Sequence, residues 1–388
     1  MRDLLAHLQE QLEQIESEGL LRRLVVPGGI DFSSNDYLGL ARDPLFRASV
    51  AERIAGSSTP LFAPASRLLR GHLPEHRVLE ERLARFKGTE AALLFPTGYQ
   101  ANIGILTALI APGDRVLSDA QNHASIIDGL RLSRCTKLIF PHLDVDFVED
   151  ALSKPHREGK TFLVTESLFS MDGDIAPLER YAELADRHGA ALIVDDAHAT
   201  GVFGDGRGSG LTELSRVEKR CLAIVSTLGK ALGLWGAFVS APRTVIDFLI
   251  NRCRPFIFTT AVPPLLIHAV HAALDQIDSR PERRRRVLAL ARQLRGRLRE
   301  RGLDTLQSEG PIVPVLLGEN RRAVEVAAAL QNRGLDVRAV RPPTVAPGTA
   351  RLRISVHADH REEAVELLAG TLLEALETNR IDSGKTQA

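Results

Sequence analysis

Five apolar runs in this chain end abruptly in residues that can do chemistry. Ala191–Val194 leads into Asp195, Asp196 and His198, two carboxylates and an imidazole. Leu222–Ser226 leads into Thr227, Gly229 and Lys230, a small polar turn closed by a lysine. Ala91–Phe95 leads into Thr97, Gly98, Tyr99 and Asn102. A glycine turn that opens a helix there would offer backbone N–H groups to a phosphate dianion. Arg115–Ser118 is followed by His123, whose ring can stack on a flat cofactor, and Thr161–Thr165 by Glu166 and Ser170. Each signal alone has a plain structural explanation: a helix cap, a core histidine, a solvated lysine, a surface loop. Together, each just past a strand, they describe one site, because ligands of open α/β sheets bind at the carboxyl ends of the strands.

The chemistry these groups share is that of pyridoxal phosphate. A lysine can hold that cofactor's aldehyde as a Schiff base. A carboxylate can keep its pyridinium nitrogen protonated, so that the ring accepts electrons. Lys230 and Asp195 supply those two groups, the Gly98 turn a phosphate cup, and His123 a stacking face. A hydrolase using Ser170, His198 and Asp195 is the competing reading, but no GxSxG elbow surrounds Ser170.

Positioning such groups requires a sheet buried on both faces. The runs Ala91–Phe95, Arg115–Ser118, Lys137–Phe140, Thr161–Thr165, Ala191–Val194 and Leu222–Ser226 are continuously rather than alternately apolar. That is the pattern of parallel strands covered by helices, and helical segments between them complete an α/β class. Upstream, Leu4, Leu5, Leu8, Leu12 and Ile15 mark an amphipathic helix, followed by an extended piece at Ile30–Phe32. Val78, Leu79, Leu83 and Phe86 predict a helix that starts beyond Pro74 and ends at Gly88. Downstream, Pro281–Arg301 predicts a long Arg-rich amphipathic helix with a solvated face. Strands at Ile312–Leu317, Val337–Val340 and Leu352–Val356, with helices at Ala323–Gly334 and Glu362–Glu377, make a small α+β region. The expected organisation is an N-terminal helix and arm over residues 1–45, a large cofactor-binding domain over 46–275, and a C-terminal α+β domain over 276–388.

Composition narrows the partners. Lys plus Arg and Asp plus Glu both total 49 in 388 residues, so no global field holds nucleic acid or an anionic membrane surface. Three scattered cysteines, with no CxxC pair, argue for a reducing compartment and against a disulfide framework or a metal site. No apolar stretch approaches the roughly 20 residues of a membrane span, and the acidic N-terminal helix is unlike a secretory signal. A cytoplasmic protein is expected.

In its motifs the chain resembles the α-oxoamine synthase family of fold-type I pyridoxal-phosphate enzymes over nearly its whole length. The resemblance rests on Ser34-Asn35-Asp36-Tyr37-Leu38-Gly39-Leu40, Thr165-Glu166 with Ser170-Met171-Asp172-Gly173-Asp174, Asp195-Asp196-Ala197-His198-Ala199-Thr200-Gly201, and Thr227-Leu228-Gly229-Lys230-Ala231, in family order and spacing. It implies a mostly parallel seven-stranded sheet in a large domain, a smaller α+β domain, and a homodimer whose sites are completed by the partner chain. The segment Arg341-Pro342-Pro343-Thr344 through Arg353 is similar to the family's biotin-pathway branch. That branch condenses L-alanine with a pimeloyl thioester, on coenzyme A or acyl carrier protein, and loses carbon dioxide. Another condensation of the family, with glycine or serine as amino donor, is the alternative.

Carried over motif by motif, the resemblance gives Lys230 the covalent hold on the cofactor and the shuttling of the alanine Cα proton. It pairs Asp195 with the pyridinium nitrogen and stacks His123 on the ring. His198 would bond the ring's phenolic oxygen and assist decarboxylation. Gly98, Tyr99 and Thr227 would bind the phosphate region, with Glu166 and Ser170 lining the site. Arg353 would hold the substrate carboxylate as a bidentate fork, with Arg22, Asn35 and Thr344 bordering the substrate. Two places depart from the family. The usual glycine-rich loop is here Thr59–Gly71 with Arg70 in place of a serine, which predicts a different path. Trp235 stands where relatives carry a small residue.

Overall fold

The computed structural model describes residues 1–385. They form two compact units, one of residues 35–170 and 174–288, the other of residues 1–34, 171–173 and 289–388. The expected N-terminal arm and C-terminal region thus fall in one unit, and the boundaries lie at 34/35 and 288/289 rather than at 45/46 and 275/276.

The larger unit is built on a sheet of seven strands: β1 (Ala91–Phe95), β2 (Arg115–Asp119), β3 (Thr136–Phe140), β4 (Thr161–Glu166), β5 (Ala191–Asp195), β6 (Cys221–Thr227) and β7 (Ala237–Ala241). Their spatial order is β1-β7-β6-β5-β4-β2-β3. Neighbours from β6 to β3 run parallel, and β7 is antiparallel to both β6 and β1. All six expected runs are strands. β7 carried no expectation of its own, since Ala-Phe-Val-Ser-Ala is short, half of small residues, and hemmed by Gly236 and Pro242. The central strands are buried along nearly their whole length, and Leu93, Phe95, Val116, Val164, Ile193, Val225 and Val239 join one core. Continuous apolarity follows from this burial on both faces.

Helices begin and end where the side chains dictate. Asp43 caps Pro44–Ala55 by accepting from Leu45 N–H (2.8 Å) and Phe46 N–H (3.0 Å). Thr97 caps Gly98–Leu109 by accepting from Gln100 N–H at 3.1 Å. The Thr59–Gly71 loop, where a path different from the family's was expected, has a defined end. It ends in a wide turn over Arg67–Gly71, closed by Gly71 N–H to Ser66 O at 2.9 Å. Buried Arg67 anchors that turn through two bonds to Glu80 (2.9 and 3.0 Å), while Leu68, Leu69 and Arg70 stay exposed.

The smaller unit holds an antiparallel sheet in which Ala350–Ser355 lies between Arg338–Val340 and Ile312–Gly318. Ile30–Asp31 pairs in parallel with Leu335–Asp336. Asn320–Asn332 and Glu362–Lys385 are its longer C-terminal helices, the last running past the expected stop at 377. In the helix Arg2–Ser17 the apolar residues Leu4, Leu5, Leu8, Leu12 and Ile15 are all exposed. The Arg-rich helix, Pro281–Glu300, departs from a purely solvated basic face. Arg284 is buried and donates to Ile277 O (2.8 Å). Arg295 is buried and donates to Gly310 O (2.6 Å) and Glu309 O (2.9 Å), and its burial pulls it down to about 10. No helix among the described residues is long and apolar enough to cross a membrane.

Candidate active site

The parallel strands deliver their last residues to one edge of the sheet. Glu166 ends β4, Asp195 ends β5 and Thr227 ends β6, with Glu166 and Asp195 in direct register. Just beyond the strand ends come Gly98, His123, Ser170, His198 and Lys230, so these expected residues share that edge.

The adjacent carboxylates Asp195 and Asp196 have opposite fates. Asp196 is fully buried against Lys87, which is itself fully buried, at 2.7 Å. The Lys87 ammonium also donates to Thr200 Oγ1 (3.1 Å) and to Ser209 O. Asp196 further accepts from Ser167 Oγ (2.5 Å), Thr212 Oγ1 (2.8 Å) and Leu211 N–H (3.2 Å). A Cβ on Gly210 would lie 2.0 Å from Asp196 Oδ2, so this cage admits only glycine there. With its oxygens saturated inside the protein, Asp196 holds structure together. Asp195 is the one aimed at the edge, accepting from Asn102 Nδ2 (2.6 Å) and Ala197 N–H (3.0 Å).

Around Asp195 the electrostatics are coupled. Burial raises the Glu166 carboxyl well above its ordinary range, Asp195 adds to the rise, and Lys230 opposes it. This favours the neutral acid. Glu166 Oε1 is buried without a hydrogen-bond partner. Desolvation lowers the His123 imidazole, with Asp195 pulling against that shift and Lys230 adding to it. His123 caps the helix Ala124–Ser133, its Nδ1 accepting from Ser125 N–H at 3.2 Å. His198 is buried, and its Nδ1 lies 2.7 Å from the Tyr37 hydroxyl, which also donates to Asn35 Oδ1 at 3.1 Å. Asn35 thus reaches His198 through Tyr37.

At the start of the Gly98–Leu109 helix, the added Cβ of Gly98 would touch Thr227 at 3.9 Å, so the helix tip and the β6 turn are neighbours. The first N–H groups of a helix have no partner within it, and Thr97 takes that of Gln100, leaving the Gly98 and Tyr99 amides at the tip. The Thr227 hydroxyl shapes its own turn, donating to Gly236 O (3.1 Å) and accepting from Gly229 N–H (3.2 Å). The Tyr99 hydroxyl bonds Asp128, and its ring meets His123 edge-on at 6.2 Å. Ser170 lies just before a loop clamped by His142. His142 bridges Asp119 and Asp174, each at 2.8 Å. Burial opposes its charge, but the bonds to both carboxylates outweigh that and hold it up at about 9.

The three remaining residues belong to the smaller unit. Arg353 is buried in Ala350–Ser355 and donates to Ser355 Oγ at 2.9 Å. Arg22 is exposed and reaches Pro342 O at 3.4 Å, while Thr344 closes the same turn through its N–H to Arg341 O (3.1 Å). Asn102, Ser125, Tyr37, Lys87 and His142 had no assigned role. Asn102, one helical turn after Gly98, was the most accessible of them to a spacing argument.

These residues fit pyridoxal phosphate. A helix tip for a dianion, a carboxylate and a lysine on neighbouring strand ends, and the unpartnered Glu166 Oε1 form the donor set that cofactor calls for. Fold and site define a fold-type I pyridoxal-phosphate enzyme. The chain belongs to the aminotransferase class I and II family, whose model matches residues 27–372, and within it to the 8-amino-7-oxononanoate synthase group. It is 45% identical over 369 residues to the 8-amino-7-oxononanoate synthase of Anaeromyxobacter dehalogenans, covering 92% of each chain. A serine palmitoyltransferase from S. paucimobilis, solved with bound PLP–myriocin, is 30% identical with a TM-score of 0.87, covering 97% of this chain and 98% of that one. The solved 8-amino-7-oxononanoate synthase of Francisella tularensis is 27% identical with a TM-score of 0.77, covering 91% and 99%.

Proposed function

We propose that the protein condenses L-alanine with a pimeloyl thioester to give 8-amino-7-oxononanoate and carbon dioxide, a step of biotin synthesis. The observation that carries this reading is the meeting of Asp195, Glu166, His123 and Lys230 at one sheet edge, in a chain of this family. When bound, pyridoxal phosphate supplies an electron sink that makes the alanine Cα–H acidic. The chain's own groups do the rest. Lys230 holds the cofactor and moves the Cα proton. Asp195 would pair with the ring nitrogen, His123 would stack on the ring, and His198, held by Tyr37, would bond the phenolic oxygen. The Gly98 and Tyr99 amides, with Thr227, take the phosphate, and Glu166 and Ser170 line the site. Arg353 would receive the substrate carboxylate, with Arg22, Asn35 and Thr344 bordering the substrate. The protein works as a cytoplasmic homodimer, with coenzyme A or acyl carrier protein bearing the acyl group.

The test is twofold. The purified protein should show a visible cofactor band that Lys230→Ala abolishes. It should also release the amino ketone from alanine plus a pimeloyl thioester. Product from glycine plus acetyl-CoA, with none from alanine, would reassign it to another condensation of the same family.

A further inference from the structure

We infer that Asn102 and Ser125 are positioning residues that connect Asp195 to His123 and hold the His123 ring as its neutral Nε2–H tautomer. The inference rests on the cofactor site proposed above and adds to it two residues and the place of one proton.

Donor and acceptor bookkeeping leads there. Asn102 Nδ2 lies 2.6 Å from Asp195 Oδ2 and 2.9 Å from Ser125 Oγ. The reverse amide orientation would press two acceptor oxygens together at the Asp195 end, so the NH2 group must face the carboxylate. Its two hydrogens are then spent, one on Asp195 and one on Ser125 Oγ. Ser125 Oγ is therefore an acceptor toward Asn102, and its own hydrogen points elsewhere. The group waiting for it is His123 Nδ1, 2.7 Å away. The same nitrogen also accepts the Ser125 backbone N–H at 3.2 Å. Two donors converge on Nδ1, so it carries no proton, and the neutral ring keeps its hydrogen on Nε2.

Each link is enclosed. Asn102, Ser125 and Asp195 are 3%, 0% and 8% exposed, so water does not substitute for a missing partner. The ionisable groups that face His123 are Asp195, Lys230 and Glu166, with the Tyr99 ring edge-on at 6.2 Å and its hydroxyl bonded to Asp128. The Asp195 carboxylate would favour an imidazolium, and the relay opposes this by filling Nδ1 with donors. A neutral ring can lie flat on a cationic pyridinium without like-charge repulsion, which a protonated ring could not. The relay thus lets one carboxylate serve the ring nitrogen while the neighbouring histidine stays uncharged.

The test uses the holoenzyme with ring-15N-labelled histidine, the His123 signals being assigned by their loss in His123→Asn. The expected result between pH 6 and 8 is a protonated Nε2 and an unprotonated Nδ1. Ser125→Ala removes the hydroxyl donor but keeps the backbone N–H. It should lower the Nε2–H to Nδ1–H ratio about fivefold and raise the imidazole pKa by about 0.7 unit, the worth of one hydrogen bond. Ser125→Thr, which restores the hydroxyl, should return both values toward the native ones. A native ring protonated on Nδ1 overturns the inference without any variant. So does a Ser125→Ala protein whose tautomer ratio and pKa match the native protein. Loss of the Lys230-dependent visible band would overturn the cofactor reading instead, leaving the tautomer measurement to stand by itself.

Discussion

Replacing His142 by glutamine should remove a pH-dependent part of the stability. The imidazole sits between Asp119 and Asp174, each at 2.8 Å, with 18% of its side chain exposed. Its pKa is held at about 9 against an ordinary 6.5. At about 1.4 kcal/mol per unit, that rise is worth about 3 kcal/mol. The unfolded chain binds this proton more weakly than the folded one. The stabilisation is therefore complete below pH 6.5, declines as the pH rises, and is gone above about 9. For 388 residues at about 2.1 cal/mol/K each, the unfolding entropy is about 0.8 kcal/mol/K, so 3 kcal/mol corresponds to about 4 °C. Differential scanning calorimetry of wild type and His142→Gln should show a Tm gap of about 4 °C at pH 6 that closes by pH 9.5. A gap that stays constant across that range, or widens with pH, would mean His142 is not a charged clamp.

Lys87→Met should destabilise the protein by about 3–5 kcal/mol, because Asp196 is left as an uncompensated buried charge. Adding Asp196→Leu should recover part of that loss in denaturant titrations. Glu166→Gln should flatten the pH dependence of apoenzyme stability. The buried acid must take up a proton on folding, which costs about 1.4 kcal/mol per pH unit above 4.5, and the amide need not. Identical wild-type and variant profiles would show that Glu166 ionises in the fold. Gly104→Ala should cost about 1–3 kcal/mol in thermal or urea unfolding despite the better helix propensity of alanine. Its Cβ would stand 2.6 Å from Cys253 Sγ.

The sheet and the edge that carries the candidate site were legible because burial on both faces writes itself into continuous apolar runs, and because ligands of open α/β sheets bind at the carboxyl ends of the strands. Lys230, Asp195, Glu166 and His123 were found by that rule, and the structure gathers them at one edge. β7 escaped it. A short antiparallel strand of small residues between Gly236 and Pro242 leaves almost no periodic trace. The choice between Asp195 and Asp196 was suggested by motif alone, and its physical basis, the Lys87 cage, depends on a lysine 109 residues away. His142 escaped for the same reason, since its partners lie 23 and 32 residues distant in no recognisable pattern. The compact units group the chain's first 34 residues with its last hundred, a long-range pairing that composition does not signal.

The placement of β7 between β1 and β6 sets the order in which the sheet can be completed on the ribosome. β1 leads into Gly98, yet its sheet partner is β7, and the paired residues Phe95 and Ala237 are 142 positions apart. At about 5–20 residues per second, β1 waits about 7–28 s before its partner is synthesised. During that wait the apolar strand Ala91–Phe95 has no partner in the sheet. The sheet is complete only when β7 enters between β1 and β6 and sets Phe95 and Thr227, the last residues of those strands, on either side of Ala237.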